Sequence, residues 1–517
     1  MKKLRILWTD DEIDLLRPHI LFLEEKGFEV LTANNGDDAI ELVDSEDLDL
    51  IFLDENMPGL SGLQTLTIIK EKNPSIPVVM ITKSEEEDIM EQAIGSKIAD
   101  YLIKPVNPKQ ILLSIKKNVD NKRLISEKTV SGYQSNFGKI GIQISDANTF
   151  SEWAELYKKL VYWELELEQN PDSGMHEVFH MQKSDANNGF SKFIKKNYEQ
   201  WFSDKGDKPL MSPNLFKDEI FPILDKGQKV FVLVIDNFRY DQWKLIQPII
   251  NDYFTVEEEQ LYCSILPTAT QYARNAIFAG LMPYEINKLY PQYWLNDEDE
   301  GGKNMKEAEL FETQLKRFGK NYKFGYEKIS HLKTGEKVVE NLSDLLNNQV
   351  NLLVYNYIDM LSHARTDIEM IRELANDEAA YRSLTVSWFK HSPLFALIKE
   401  LKEQDVKLII TTDHGTVRVQ NPVKVVGDKN TSTNLRYKNG RNLNYNPKEV
   451  FEIRDPQKVH LPKTNISTSY IFATNDDFLA YPNNYNYYVN YYKNTFQHGG
   501  ISMEEMIIPF VKLKPNI

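Results

Sequence analysis

Val230-Phe231-Val232-Leu233-Val234-Ile235 is an unbroken apolar run that stops at Asp236. Two later stretches repeat the pattern. Leu352-Leu353-Val354-Tyr355-Asn356-Tyr357-Ile358 runs into Asp359, and Val406-Lys407-Leu408-Ile409-Ile410-Thr411-Thr412 runs into Asp413 and His414. Runs of this length bounded by polar residues read as buried strands of a parallel sheet. Open α/β sheets hold their ligands at the carboxyl ends of the strands, where these acids fall. With Thr270, His363 and His498 they make three Asp, three His and one Thr, the donors that two zinc ions bridged by a nucleophile require.

A second array precedes this one. Strand-like runs at Arg5–Thr9, Phe28–Ala33, Asp49–Leu53, Val78–Thr82 and Tyr101–Ile103 alternate with helical patterns, which predicts a doubly wound α/β sheet over residues 1–118. Asp10 and Asp11 end its first strand and Asp54 its third. Three carboxylates at one sheet edge repel one another unless a divalent cation joins them, and Mg²⁺ suits an all-oxygen set. Asp54 is then the phosphoryl acceptor. Asp11 and the Asn56 carbonyl complete the metal shell, Asp10 acts through water, and Thr82 and Lys104 bind the phosphoryl oxygens. These residues, with Asp54-Glu55-Asn56-Met57-Pro58-Gly59, resemble a response-regulator receiver domain, in which Tyr101 takes the place of the switch aromatic.

Composition sets the frame. A chain of 517 residues predicts several domains. A net charge of −15 argues against a general nucleic-acid-binding surface, since phosphate neutralisation needs clustered Lys and Arg. The single cysteine, Cys263, excludes internal disulfides and a Cys-based zinc site. No apolar run approaches a membrane span and no signal-peptide core forms, so the expectation is a cytoplasmic protein with no membrane insertion. Residues 119–205 read as a helical linker. Residues 206–517 return to an α/β pattern, interrupted at 421–465 by a segment carrying Lys424, Lys429, Arg436, Lys438, Arg441 and Lys448, read as an insertion on the active-site side that holds flanking phosphates or serves as a surface or dimer-exchange loop.

Leu266-Pro267-Thr268-Ala269-Thr270-Gln271-Tyr272-Ala273-Arg274 resembles the nucleophile region of the alkaline phosphatase superfamily. Its pattern selects Thr270 over Thr268, two residues earlier. With Asp413-His414-Gly415 and Gln497-His498-Gly499-Gly500, the likeness is to the PglZ branch. The resemblance implies one zinc on Asp236, Asp413 and His414, another on Asp359, His363 and His498, Thr270 between them, and Arg274 as a phosphate clamp. His176-Glu177-Val178-Phe179-His180 fits a zinc-protease pattern, but it lies in a short segment between turn clusters and reads better as packing between helices.

The order of receiver, helical linker and PglZ-type domain resembles the PorX family of response regulators. The resemblance implies control of type IX secretion, a partner histidine kinase, dimerisation on phosphorylation, contact with an alternative sigma factor, and a zinc phosphodiesterase acting on oligonucleotides. The competing expectation is a signalling adaptor whose metal site is mainly structural. No helix-turn-helix signature supports sequence-specific DNA binding.

Overall fold

A computed structural model describes residues 3–74, 76–83, 98–169, 174–203, 208–428 and 431–516. The chain divides into two compact units, Met1–Gln134 and Ser135–Ile517.

The first unit is built on five parallel strands, β1 (Arg5–Thr9), β2 (Glu29–Ala33), β3 (Leu50–Asp54), β4 (Val78–Thr82) and β5 (Asp100–Ile103), in the order β2-β1-β3-β4-β5. Alternation along the strands feeds two cores. Leu7, Ile51, Leu53, Val78 and Met80 pack on one side, and Ile6, Trp8, Leu50, Phe52, Val79 and Ile81 on the other. Both faces are therefore apolar, which is why these strands read as continuous rather than alternating runs. Helices Gly62–Lys72 and Pro108–Ile115 each begin with a capping box, on Ser61 and Gln64 and on Asn107 and Gln110.

Helix Asn121–Asp146 spans the division between the units. Helices Phe150–Glu168 and Met175–Asn197, from the expected linker, belong to the second unit. Its main sheet contains β6 (Val230–Ile235), β7 (Phe254–Cys263), β8 (Phe324–Ile329), β9 (Val350–Tyr355), β10 (Lys407–Thr411) and, after seven short strands, β18 (Ile507–Pro515). The order is β7-β18-β10-β6-β9-β8. Strands β10, β6, β9 and β8 are parallel, as their apolar runs imply. β18 is antiparallel to both its neighbours, β10 and β7. It therefore enters the sheet at the edge where β6, β7, β9 and β10 leave it, and the loop carrying His498 arrives beside their carboxyl ends.

The segment 421–465 is folded rather than loop-like. After β11 (Val417–Arg418) it supplies β12 (Asn421–Lys424), β13 (Tyr437–Gly440) and β14 (Val450–Ile453), which pair with β15 (Ser469–Ala473) and β16 (Asp477–Ala480); β17 (Phe496–Gln497) closes on β11. Val423, Val425, Val450, Ile471, Ala473 and Leu479 form its core. Arg436 and Lys438 are buried in it, while Lys429 lies outside the described residues. Among the described residues no helix is long and apolar enough to cross a membrane.

Candidate metal and phosphoryl-transfer sites

In the first unit the ligand atoms of Asp10, Asp11 and Asp54 lie within 4.8 Å of one another at the carboxyl ends of β1 and β3. Lys104, after β5, places Nζ 2.7 Å from Asp10 Oδ2 and 3.1 Å from Asp54 Oδ1. Burial pushes the Asp54 carboxyl up to about 6; Lys104 works against this, and Asp10 and Asp11 add to it. A carboxylate made costly in this way is one that a divalent cation stabilises. Thr82 is buried at the end of β4, and its carbonyl accepts from Lys104 N at 2.7 Å. Asn56 is exposed in the loop after β3. Tyr101 lies in β5, opposite Met80 and half-buried against the core.

In the second unit all seven expected residues meet at one sheet edge. Asp236 follows β6 and Asp413-His414 follow β10, its direct neighbour, and the three ligand atoms fall within 4.8 Å. All three residues are buried. Asp359, His363 and His498 form a second group within the same limit. The two groups touch through the rings of His414 and His498, stacked at 4.3 Å. One local detail departs from the sequence pattern. β9 ends at Tyr355, so Asp359 sits in the first turn of helix Tyr357–Asp367 rather than at the strand end. His363 follows four residues later, one helical turn on, so that both side chains lie on one face.

Thr270 opens helix Thr270–Ala279. Its hydroxyl lies 3.3 Å from Asp236 Oδ1 and 3.1 Å from His414 Nε2, two acceptors for its single proton. The Thr268 hydroxyl is committed elsewhere. It donates to the Gly500 carbonyl at 2.8 Å and accepts from Gly499 N at 3.1 Å, which fixes the loop after His498. Gly499 has φ +123°, a conformation closed to most side chains, and an added Cβ there would strike the Tyr437 ring.

The supporting groups explain how three carboxylates persist together. Arg274 donates from Nη1 to Asp236 Oδ2 and from Nε to Glu307 Oε1, both at 2.6 Å, and is itself buried. The residue expected to clamp a phosphate is thus turned toward carboxylates of its own chain. Glu505 accepts from Gly500 N and from Arg436, and its carbonyl accepts from Gly415 N, so one residue braces both histidine-bearing loops. In the linker, Asn187 grips the same loop through Met503 N and Glu504. Lys183 pairs with both Glu164 and Glu504. Arg436 also answers for the inserted segment: its guanidinium is spent on Glu505 and on the carbonyls of Asn475 and Ile501, within the fold. Nothing in the local sequence pattern announces Glu307, Asn187 or Glu505 as partners of the site.

Burial drives the Asp236 carboxyl well above its ordinary range, against the pull of Arg274, with Asp413 and Asp359 adding to the rise. Burial lowers His414 to about 4, so it is a neutral imidazole, and its Nδ1 donates to the Gly415 carbonyl and leaves Nε2 for a ligand. Burial opposes the charge on His498 too, but Asp359 outweighs it and raises the group to about 9. Asp413 Oδ2 is a buried carboxylate oxygen with no hydrogen-bond donor among the described residues, and the buried Asp359 Oδ1 faces only the His498 Nε2, at 3.4 Å, among the ion pairs of the described residues. Buried oxygens of this kind beside imidazoles fit two cations held by nitrogen and oxygen donors. His176 and His180 share helix Met175–Asn197 but join none of the metal-type groups found among the described residues.

A carboxylate-and-lysine cluster on a doubly wound sheet, ahead of an Asp/His centre with a threonine between its halves, defines a response regulator with a phosphatase-like output domain. The chain belongs to the PglZ alkaline phosphatase-like family: the family model described as the BREX system PglZ alkaline phosphatase-like domain matches residues 215–513, more than half of it. The PorX response regulator linker domain matches residues 123–202 and the response regulator receiver domain residues 6–116, which together give the PorX-type architecture.

Curated relatives include the transcriptional regulatory protein ZraR of Klebsiella oxytoca, 34% identical over 136 residues, which are 26% of this chain and 31% of that protein. ResD of Bacillus subtilis is 35% identical over 112 residues, 22% of this chain and 46% of that protein. A cyclic di-GMP phosphodiesterase of Thermotoga maritima is 28% identical over 179 residues, covering 31% and 48%. The chain thus spans less than half the length of each. Among solved structures, a CheY-like receiver domain protein from Methanospirillum hungatei matches at 26% identity and a TM-score of 0.23, over 23% of this chain and 96% of that one.

Proposed function

We propose that the chain is a response regulator in which phosphorylation of Asp54 governs a two-zinc phosphodiesterase centre formed by Asp236, Thr270, Asp359, His363, Asp413, His414 and His498. The observation that carries this reading is the position of Thr270. Its hydroxyl touches Asp236 and His414, while His498 stacks on His414 and brings the second set of ligands alongside.

Zinc held by Asp236, Asp413 and His414 and by Asp359, His363 and His498 would lower the pKa of a nearby hydroxyl and carry charge that develops on oxygen. The chain's own residues do the rest. Asp236 and His414 hold the Thr270 oxygen at the start of a helix, where N–H groups and the helix dipole favour an anionic phosphate. Thr270 Oγ bonds to phosphorus as the bond to the leaving oxygen breaks. Water then hydrolyses the phosphothreonine and frees the hydroxyl. Arg274 positions Asp236 and does not meet substrate.

In the receiver unit Asp10, Asp11, Asp54 and the Asn56 carbonyl would hold Mg²⁺, which would offset charge on the transferring group; Asp54 Oδ bonds to phosphorus as the phosphodonor's own bond to phosphorus breaks, and Thr82 and Lys104 bind the phosphoryl oxygens. Tyr101 is the switch residue. The PorX-type architecture supports a partner histidine kinase, dimerisation on phosphorylation, oligonucleotide substrates, contact with an alternative sigma factor and a role in type IX secretion.

The test is hydrolysis by the purified, zinc-supplied protein of a panel of mono-, di- and oligonucleotides, with metal analysis. About two zinc ions per chain and turnover that disappears in Thr270→Ala are expected. Zinc present with no turnover of any ester leaves the adaptor role in its place.

A further inference from the structure

Glu164, on helix Phe150–Glu168 of the linker, is a buried carboxylate with a cation on each oxygen. Lys183 Nζ lies 2.8 Å from Oε2, and Arg382 Nη1 donates to Oε1 at 3.1 Å. Each cation begins a chain of buried contacts. Both chains end on the segment that carries His498, one before it and one after it.

The first chain reaches the residues after His498. Lys183 pairs with Glu504 Oε1 at 3.0 Å, on helix Met503–Met506. Asn187, one helical turn beyond Lys183, donates to Glu504 Oε2 at 3.0 Å and accepts from Met503 N at 2.8 Å. The second chain reaches the residues before it. Arg382 Nη1 also donates to Asp241 Oδ2 at 2.8 Å. Asp241 in turn accepts from Arg239 with both oxygens, and Glu378 shares Arg239 at 2.7 Å. The Arg239 guanidinium lies 5.7 Å over the ring of Phe496, in β17, and that ring stacks on Tyr381 at 4.0 Å and 17°. His498 therefore stands between two holds, Phe496 and Met503-Glu504, that trace back to one linker carboxylate.

Arg239, Asp241, Arg382 and Glu504 are all buried with Glu164. Taking ions out of water costs roughly what their pairing returns, so apolar residues of the same volume would stabilise the fold as well. What the charges add is a fixed geometry. The two metal-type groups differ in their need for it. Asp236 and Asp413-His414 follow directly on β6 and β10 and are held by the sheet. His498 stands on a loop and must be brought to Asp359 and His363 on helix Tyr357–Asp367. We propose that Glu164 is a positioning residue for His498. It sets the zinc affinity of the group formed by Asp359, His363 and His498 and leaves that of Asp236, Asp413 and His414 unchanged. The inference rests on the two-zinc reading above and names the residue through which the linker acts on it.

The test is zinc affinity of the full-length chain, read by competition with a chromophoric chelator at a temperature where each variant is folded. Asp236→Asn leaves one metal group intact, that of Asp359, His363 and His498. His363→Ala leaves the other. Glu164→Gln weakens zinc binding about tenfold in the Asp236→Asn chain and less than about twofold in the His363→Ala chain. A loss of global stability does not alter the affinity of the folded state, so the difference between the groups separates positioning from bracing. Asn187→Ala keeps these ion pairs and cuts the hold on Met503. It weakens the same group selectively, and it decides the matter if Glu164→Gln does not fold. Equal losses at both groups, or no loss at either, overturn the proposal. If the selective loss is found while the parent chain hydrolyses no phosphodiester, the enzymatic reading falls and the positioning role stands. If hydrolysis is intact and the selective loss is absent, only the positioning role falls. A parent chain that takes up no zinc overturns both.

Discussion

The Thr268 hydroxyl donates to the carbonyl oxygen of Gly500 at 2.8 Å across 232 residues of sequence. This contact separates two threonines that look equivalent in the chain. Thr270→Ala removes the hydroxyl between the two ligand groups, so turnover should fall by several orders of magnitude while zinc content and melting temperature change little. Thr268→Ala leaves Gly499 N and the Gly500 carbonyl unpaired in a buried loop. It should cost about 1–3 kcal/mol of stability and a part of the activity, both restored by Thr268→Ser. An inactive but fully stable Thr268→Ala protein would contradict this division of roles.

Arg274 offers a sharper contrast. As a positioning residue it neutralises Asp236 and Glu307, and Arg274→Met leaves two buried carboxylates without their partner. A loss of about 3–5 kcal/mol in denaturant unfolding is expected, together with weakened zinc binding. A phosphate clamp would instead raise KM with stability unchanged, and that result would return the residue to the substrate.

Acidity should control metal binding in the receiver unit. The Asp54 carboxyl is raised to about 6, chiefly by burial, so below that pH the folded protein holds a proton where Mg²⁺ needs a charged oxygen. Mg²⁺ affinity, read by calorimetry on zinc-saturated protein, should be flat above about pH 7 and fall up to tenfold per pH unit below about 6. An affinity unchanged down to about pH 4.5 would show that Asp54 titrates at its ordinary value.

The linker contact carries a different pH signature. Burial disfavours the Glu164 carboxylate, but Lys183 and Arg382 hold its pKa down at about 2, against an ordinary 4.5. A depressed acid stabilises the fold fully above its unfolded pKa and loses that contribution as pH falls toward the folded one. The unit containing Ser135–Ile517 should therefore lose stability between about pH 4.5 and 2. Lys183→Met should destabilise it by about 3–5 kcal/mol at neutral pH, because Glu164 and Glu504 lose their shared cation. Equal stability of variant and parent at neutral pH would argue against the network as a brace.

Both sheets were legible because a strand buried on two faces shows itself as a short apolar run, and the acids at its end mark the ligand edge. Asp236 and Asp413 follow that rule. Asp359 was found by the same rule for a slightly different reason, since Tyr357 and Ile358 extend the apolar run of β9 after the backbone has already turned into a helix. The direction of β18 was not legible, because a strand's own pattern does not state its partner. Arg274 shows the same limit: the family resemblance implies a phosphate clamp, but Glu307, which draws it inward, comes from a distant helix. Arg436 and Lys438 read as charges of an insertion that holds flanking phosphates or of a surface or dimer-exchange loop, although the strands around them enclose both.

The position of β18 between β7 and β10 bears on how this protein is made. A ribosome delivers β7 and β10 well before β18, so each waits with an unpaired row of backbone amides facing the gap that β18 will fill. Open edges of this kind recruit other chains. Glu257, Glu258 and Glu259 on β7 alternate between its two faces, and two of their lysine partners come from the strands made later, Lys407 on β10 and Lys512 on β18. The loop carrying His498 leads directly into β18, so a nascent chain arrested before Ile507 lacks the strand that docks this loop beside the other candidate ligands at the sheet edge.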